Sequence, residues 1–167
     1  MYDCKPFDIS LVVNEKLKKE NGGRLVDASI YRSLVGSLFY LTTSRPDLMF
    51  AASLFSRFMS KPIHLHLGEA KRVIRYVMGT MEHEIRFEKN SKHEAKGYCD
   101  SDLAESVDDM KSTSDYIFNL GLGVISWCSK KQDIVAQSSA EAKYLVADLT
   151  TQQSLWLRRI LEDIGEK

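Results

Sequence analysis

The spacing of apolar residues changes at Gly79, and that change constrains the fold more than any other feature. From residue 28 to Gly79 apolar residues recur every three to four positions; after it they recur every second position until a helical spacing returns at residue 138. The first period is that of a helix with one buried face, the second that of a strand, and a segment written in one cannot settle as the other. From residue 28 the stripe Ile30, Leu34, Val35, Leu38 and Leu41 predicts a helix. Ser44-Arg-Pro-Asp47 is a start signal, with Ser44 as cap, Asp47 at the capping-box position and Pro46 tolerated in the first turn. The second helix turns Leu48, Ala51, Ala52, Phe55, Phe58 and Met59 inward and ends at Lys61-Pro62. A third, over 65–78, buries Leu67, Ala70, Val73, Ile74 and Val77, and Gly79 stops it. Three helices with short loops predict a small antiparallel subdomain over 28–89, closed by a strand at 85–88. Residues 1–27 carry no sustained period and predict a poorly structured lead-in, with at most a short strand over 8–13.

After a linker at 90–94, strands are expected at 95–100, 114–120 and 124–129, the last two joined through Gly121-Leu-Gly123. Residues 138–164 are helical, with Ala142, Leu145, Val146, Leu149, Trp156, Ile160 and Ile164 on one face; Gln152 and Gln153 interrupt that stripe and predict a kink or a break. The class is α+β: a small antiparallel helical subdomain, then a β-β-β-α unit over 95–167.

Zero formal net charge conceals a division. Residues 1–90 carry 14 Lys and Arg against 10 Asp and Glu, while 91–167 carry 9 against 13, so any polyanion partner belongs to the first half. Three dispersed cysteines, Cys4, Cys99 and Cys128, form no CxxC or Cys/His ligand spacing, which argues against a disulfide framework or a zinc site. His64 and His66 fit metal ligands less well than surface or capping histidines. No apolar run approaches the roughly 20 residues of a membrane span, and no signal peptide opens the chain; an intracellular, cytoplasmic protein with no membrane partner is expected.

Two carboxylates stand where chemistry can be done. Asp100 ends the run Gly97-Tyr-Cys-Asp100, and an aspartate in a strand asks for a reason: it is either a metal ligand on a rigid element or a residue capping the turn at Ser101-Asp102. Glu141 in Ser138-Ser-Ala-Glu141 is either a second ligand or half of a capping box. A strand carboxylate and a helix carboxylate make half of a two-metal phosphodiesterase site. Arg45, Arg57, Lys71, Arg72 and Arg75 lie on or beside the second and third helices, as a nucleic-acid-binding face or as an ordinary solvated one. Nucleotide-binding loops, serine-hydrolase elbows and HExxH are absent from the sequence.

Several stretches resemble the Pol polyprotein of copia-type LTR retrotransposons, especially those of plants. They are YRSLVGSLFYLTTSRPD from Tyr31, AKRVIRYVMGT from Ala70, KSTS from Lys111, ISWCSKKQ from Ile125 and SSAEA from Ser138. The resemblance begins near Asp3 and covers nearly the whole chain. It implies that the first half is the thumb-like end of a reverse transcriptase and the second half the start of a ribonuclease H domain. By motif match Asp100 and Glu141 are the first two of four carboxylates that hold two Mg²⁺ ions on an RNA/DNA hybrid. The other two belong to segments after the helix, so the resemblance implies a truncated domain, inactive as this chain, with hybrid-specific cleavage as its ancestral activity. Leu103, Glu105, Asp115 and Lys143 stand where the family commonly has an aromatic residue, two glycines and a carboxylate. Without a fourth strand, the first strand is expected to offer an open edge for self-association.

Overall fold

A computed structural model describes residues 4–11, 16–19, 22–89 and 94–165. The chain divides into two compact units, Met1–Ile85 and Arg86–Lys167. Among the described residues they hold four α-helices and one three-stranded antiparallel sheet, the α+β class read from the periods.

In the first unit α1 spans Ala28–Leu41, and the Asp27 carboxylate caps it by accepting from the Ser29 N–H at 2.7 Å. Its buried face is Tyr31, Val35 and Leu38, whereas Ile30 is 59% exposed. The stripe is rotated one position from the expected one because Tyr31 is the larger apolar body and its hydroxyl finds a partner inside, donating to the Phe55 carbonyl at 3.0 Å. A 3₁₀ turn, Pro46–Leu48, leads into α2, Met49–Ser56. The start signal is in the right place but works differently from expectation. The Ser44 hydroxyl donates backwards to Leu41, and Asp47 binds Arg45 instead of closing a capping box. Five residues earlier than Lys61, α2 ends at Ser56 in a run of turns.

The third helix, α3, spans His64–Gly79 and buries His66, Ala70 and Val73. His66 takes the capping role. The Ile63 N–H donates to its Nδ1 at 3.4 Å, its Nε2 meets the Lys18 carbonyl at 3.0 Å, and the ring stacks on Phe58 with centroids 4.0 Å apart. Both nitrogens are engaged within the core, so His66 has none to offer a metal. Tyr31, Leu38, Leu48 and Phe55 are fully buried around it, each contributing about 1.5–3 kcal/mol by burial.

The described part of the lead-in is more ordered than its composition implies. Leu17 lies in the core, Leu25 bridges to Ile63, and the Phe7 N–H donates to the Arg75 carbonyl at 3.5 Å. Residues 8–11 form no strand, and 12–13 lie outside the described residues, as do 90–93 of the expected linker. The expected strand at 85–88 is also missing: it has no ladder to join, and Phe87 is 64% exposed.

In the second unit β1 (Ala95–Asp102), β2 (Thr113–Leu120) and β3 (Gly123–Lys131) pair in chain order. Gly121, at φ +60°, supplies the left-handed turn of the β2–β3 hairpin. Gly97 faces Phe118, where a Cβ would stand 2.5 Å from the ring. After the Ser138 cap, α4 runs unbroken over Ser139–Asp163 and packs on β1 and β2. Gln153 causes no kink because its amide donates to Ser126 Oγ at 3.1 Å, satisfying its polar end on the sheet. Only the first part of the expected stripe is covered. Ala142 and Val146 are buried, but Trp156, Ile160 and Ile164 are exposed. The covered side turns with the helix: Leu157 and Leu161, one position on from Trp156 and Ile160, share an apolar hollow with Ala95, Gly97 and Phe118 of the sheet. Among the described residues, no helix is long and apolar enough to cross a membrane.

Candidate carboxylate site and basic helix face

Asp100 lies in β1 opposite Asp115 of β2, and the next pair is Ser101 with Ser114. Ser114 Oγ accepts from the Gln132 amide at 2.9 Å, and the same amide donates to the Ala142 carbonyl at 3.1 Å. Gln132 is itself buried, and its N–H donates to the Ser112 carbonyl at 2.8 Å, extending the β2–β3 ladder by one rung. A continuous path thus runs from Asp100 through Ser101, Ser114, Gln132 and Ala142 to Glu141. It places both motif carboxylates at one end of the sheet. Gln132 closes the ISWCSKKQ motif, yet sequence reasoning assigned it no role; the available signal was an amide immediately after an apolar strand, where a buried polar end must find partners.

The two carboxylates share that end without converging. Strand alternation puts Ser101 and Ser114 on the face under α4, and Asp100 and Asp115 on the other. Asp100 is exposed and its Oδ1 accepts from the Ser101 N–H at 2.8 Å. Glu141 is engaged at the helix start: its N–H donates to Ser138 Oγ at 3.2 Å and its Oε2 accepts from the Gln137 N–H at 2.7 Å. Glu141 fills the capping role that stood as its alternative reading, whereas Asp100 caps no turn, because Ser101 and Asp102 continue β1. Among the described residues no group of three or more His, Cys, Asp or Glu is placed to hold a metal ion. Mg²⁺ demands near-ideal octahedral oxygen geometry, and this donor set does not fit a two-Mg²⁺ clamp.

The basic residues divide by environment. The Arg45 side chain is 11% exposed and bound inside the unit. Its guanidinium donates twice to the Asp47 carboxylate, at 2.9 and 2.8 Å, and to the Thr80 carbonyl and hydroxyl at 2.9 and 2.8 Å. Tyr76 adds a hydroxyl on Asp47 at 3.0 Å. Burial alone would raise the Asp47 carboxyl, but the bonds from Arg45 and Tyr76 outweigh it and hold it below the ordinary value. Arg72 and Arg75 flank the Phe7 ring, 4.2 and 4.0 Å from its centroid, and Arg75 Nε donates to the Lys5 carbonyl at 2.7 Å. Arg57 is half-buried with contacts of its own, and Lys71 is exposed. The five do not form one open cationic face. Cys99 is exposed, and burial pushes the half-buried Cys128 thiol up, away from thiolate reactivity.

Asp109 in the β1–β2 connection provides an acid-sensitive contact. Burial works to raise its carboxyl, but the Lys131 ammonium at 2.6 Å and the Ser106 hydroxyl prevail and hold it at about 2. A lowered folded value stabilises the unit fully above the ordinary value of 3.8, and that contribution is lost as pH falls through about 2. The second unit should therefore weaken across this window, and Asp109→Asn should flatten the dependence. Both tryptophans, Trp127 and Trp156, lie in this unit, so denaturant titrations read by tryptophan fluorescence at stepped pH check the expectation.

The fold and the placement of the motif acids describe an α+β protein with a helical unit and a β-β-β-α unit. Its similarity to known proteins gives the lineage. The retrovirus-related Pol polyprotein from transposon RE1 of Arabidopsis thaliana is 39% identical over 165 residues, 99% of this chain and 11% of that polyprotein. That from transposon TNT 1-94 of Nicotiana tabacum is 36% identical over 173 residues, again 99% of this chain and 13% of that polyprotein. Secreted RxLR effector protein 161 of Plasmopara viticola is 41% identical over 128 residues, 76% of this chain and 90% of that protein. The chain belongs to the family of copia-type retrovirus-related Pol polyproteins of plant transposons. It spans about a ninth of the RE1 polyprotein's length, whereas the stretch shared with the effector makes up most of that protein. No protein-family model matches the chain, and no solved structure matches it.

Proposed function

We propose that this chain is the part of a retrotransposon Pol polyprotein where the reverse transcriptase ends and the ribonuclease H region begins. Residues 28–89 are the thumb-like helices and 95–167 the opening β-β-β-α of the nuclease. The ancestral roles are RNA-templated DNA synthesis and cleavage of the RNA strand in RNA/DNA hybrids. The observation that carries this reading is the path through Ser101, Ser114, Gln132 and Ala142, which brings Asp100 and Glu141 to one sheet end. An aspartate on a first strand and a glutamate in a helix's first turn are otherwise distant, 41 positions apart.

By itself the chain is not a catalyst in this reading. Mg²⁺ would supply the activated water and the charge neutralisation at the leaving oxygen, but the donor set here does not fit it, and no step is assigned to it. What the chain's own residues do is structural: Gln132 seats the start of α4 on the sheet, and Glu141 and Ser138 cap that helix. A non-catalytic nucleic-acid-binding role is the weaker reading, because Arg45 is committed to Asp47 and Thr80, and Arg72 and Arg75 to Phe7.

Incubating the pure chain with a labelled RNA/DNA hybrid and Mg²⁺ tests the proposal. No cleavage above the protein-free control is expected, and Asp100→Asn and Glu141→Gln should change nothing. Turnover that both substitutions abolish would overturn the inactive reading.

A further inference from the structure

We propose that residues 5–7 are a strap over Arg72 and Arg75 of α3, and that the phosphates of a nucleic-acid backbone reach these two arginines only when the strap lifts. This goes beyond the carboxylates and their ancestry and rests on a few side chains of the helical unit. Arg72 and Arg75 stand three positions apart on α3, so their like charges are neighbours. Among the described residues neither is joined to a carboxylate, and the buried Nε of Arg72 has no hydrogen-bond partner. What faces them is the Phe7 ring, its centroid 4.2 and 4.0 Å from the two guanidinium carbons. A ring face attracts a cation but brings no charge to neutralise it. A phosphate brings that charge and accepts from the planar guanidinium fork as well.

The strap is fastened mainly at that ring. Residues 4–6 are exposed and Phe7 is half-buried. Among the described residues two hydrogen bonds add to the hold. Arg75 Nε donates to the Lys5 carbonyl at 2.7 Å, and the Phe7 N–H donates to the Arg75 carbonyl at 3.5 Å, longer than an ordinary hydrogen bond. Pro6 lies against Gly79 at the end of α3, where a Cβ would stand 2.8 Å from the Cβ of the proline. The strap therefore follows the helix closely because position 79 carries no side chain. Further along, Leu11 packs on the helical core, so a lifted strap stays tethered beside the face it covered and closes again when the phosphates leave. Ring and phosphate compete for the same two guanidiniums, and the charge-assisted contact is the stronger. The weak apparent affinity of the closed state is then a matter of how seldom the face is open.

Fluorescence anisotropy with a short labelled RNA/DNA hybrid at stepped salt tests the proposal on the full chain and its variants, with circular dichroism confirming that each is folded. Phe7→Ala should bind about 5–30-fold more tightly than the wild type, the factor by which two exposed cation–π contacts hold the competing closed state. Its affinity should also fall more steeply with salt, the slope of log K against log salt growing by about 2 as two phosphates are neutralised. Phe7→Trp, with the stronger ring, should bind less tightly than the wild type. Gly79→Ala pushes Pro6 away and leaves ring and arginines intact, so it should raise the affinity even if Phe7→Ala does not fold. Adding Arg72→Ala and Arg75→Ala to either releasing variant should cancel the gain and restore the shallower slope. Folded releasing variants that bind no better than the wild type contradict the proposal. So does a gain that persists without the two arginines, or Phe7→Trp binding more tightly than the wild type.

Discussion

Phe55→Ala is expected to destabilise the helical unit by about 3–5 kcal/mol, the range for deleting a fully buried aromatic ring. Phe55 has no exposed surface, sits in the cluster with Tyr31, Leu38 and Leu48, and its carbonyl accepts the Tyr31 hydroxyl. Removing the ring opens a cavity among short helices that have little freedom to collapse, and it loosens the backbone that accepts the buried Tyr31 hydroxyl. Since both tryptophans belong to the other unit, fluorescence and far-UV circular dichroism separate the two transitions. Early loss of helical ellipticity with an unmoved tryptophan transition is the expected outcome, and two such transitions would also exclude a single two-state description. If both probes shift together, the units unfold as one.

Arg45→Ala should cost about 2–3 kcal/mol. Breaking a fully buried pair costs about 3–5 kcal/mol, and the lower figure reflects the one-third exposure of Asp47. Four hydrogen bonds disappear, and with them the tie between the turn before α2 and the end of α3. Arg45→Lys should recover less than half of the loss, because an ammonium cannot reproduce the planar fork that spans Asp47 and Thr80. Combining Arg45→Ala with Asp47→Asn should cost less than the two separately, the second substitution removing the charge stranded by the first. Denaturant titrations followed by circular dichroism give all four values. Any loss of nucleic-acid binding in Arg45→Ala would then report the fold rather than a lost phosphate contact.

The period change made the architecture legible. The helices, the three strands of the sheet and the hairpin fell within a few residues of their expected places because each is written in local spacing, whereas the strand expected at 85–88 did not form. What the spacing did not reveal depends on partners distant in sequence. Ile30 and Tyr31 both fit an amphipathic stripe, and a carbonyl 24 residues away selects Tyr31. Arg45 reads as a cation beside a helix until Thr80, 35 residues on, is seen to hold it. The ring of Phe7 lies between Arg72 and Arg75, a clamp invisible in a lead-in without period. Trp156 and Ile160 keep helical spacing with the buried start of α4, yet Leu157 and Leu161, one position on, are the residues that share a hollow with the sheet, and periodicity cannot say which of two adjacent stripes meets a surface. Motif order placed Asp100 and Glu141 at one end of the sheet in expectation, but their orientations were not legible. Strand parity relative to α4 is set by the pairing of Ser101 with Ser114, which only the assembled sheet reveals.

The central claim is that Asp100 and Glu141, at one end of the sheet, do not together hold a metal ion. Titrating Mn²⁺ into isotopically labelled protein and following paramagnetic broadening of the Asp100 and Glu141 resonances tests it most directly. The account predicts no joint broadening at micromolar Mn²⁺. Simultaneous loss of both signals at substoichiometric Mn²⁺, reversed by Asp100→Asn, would contradict it.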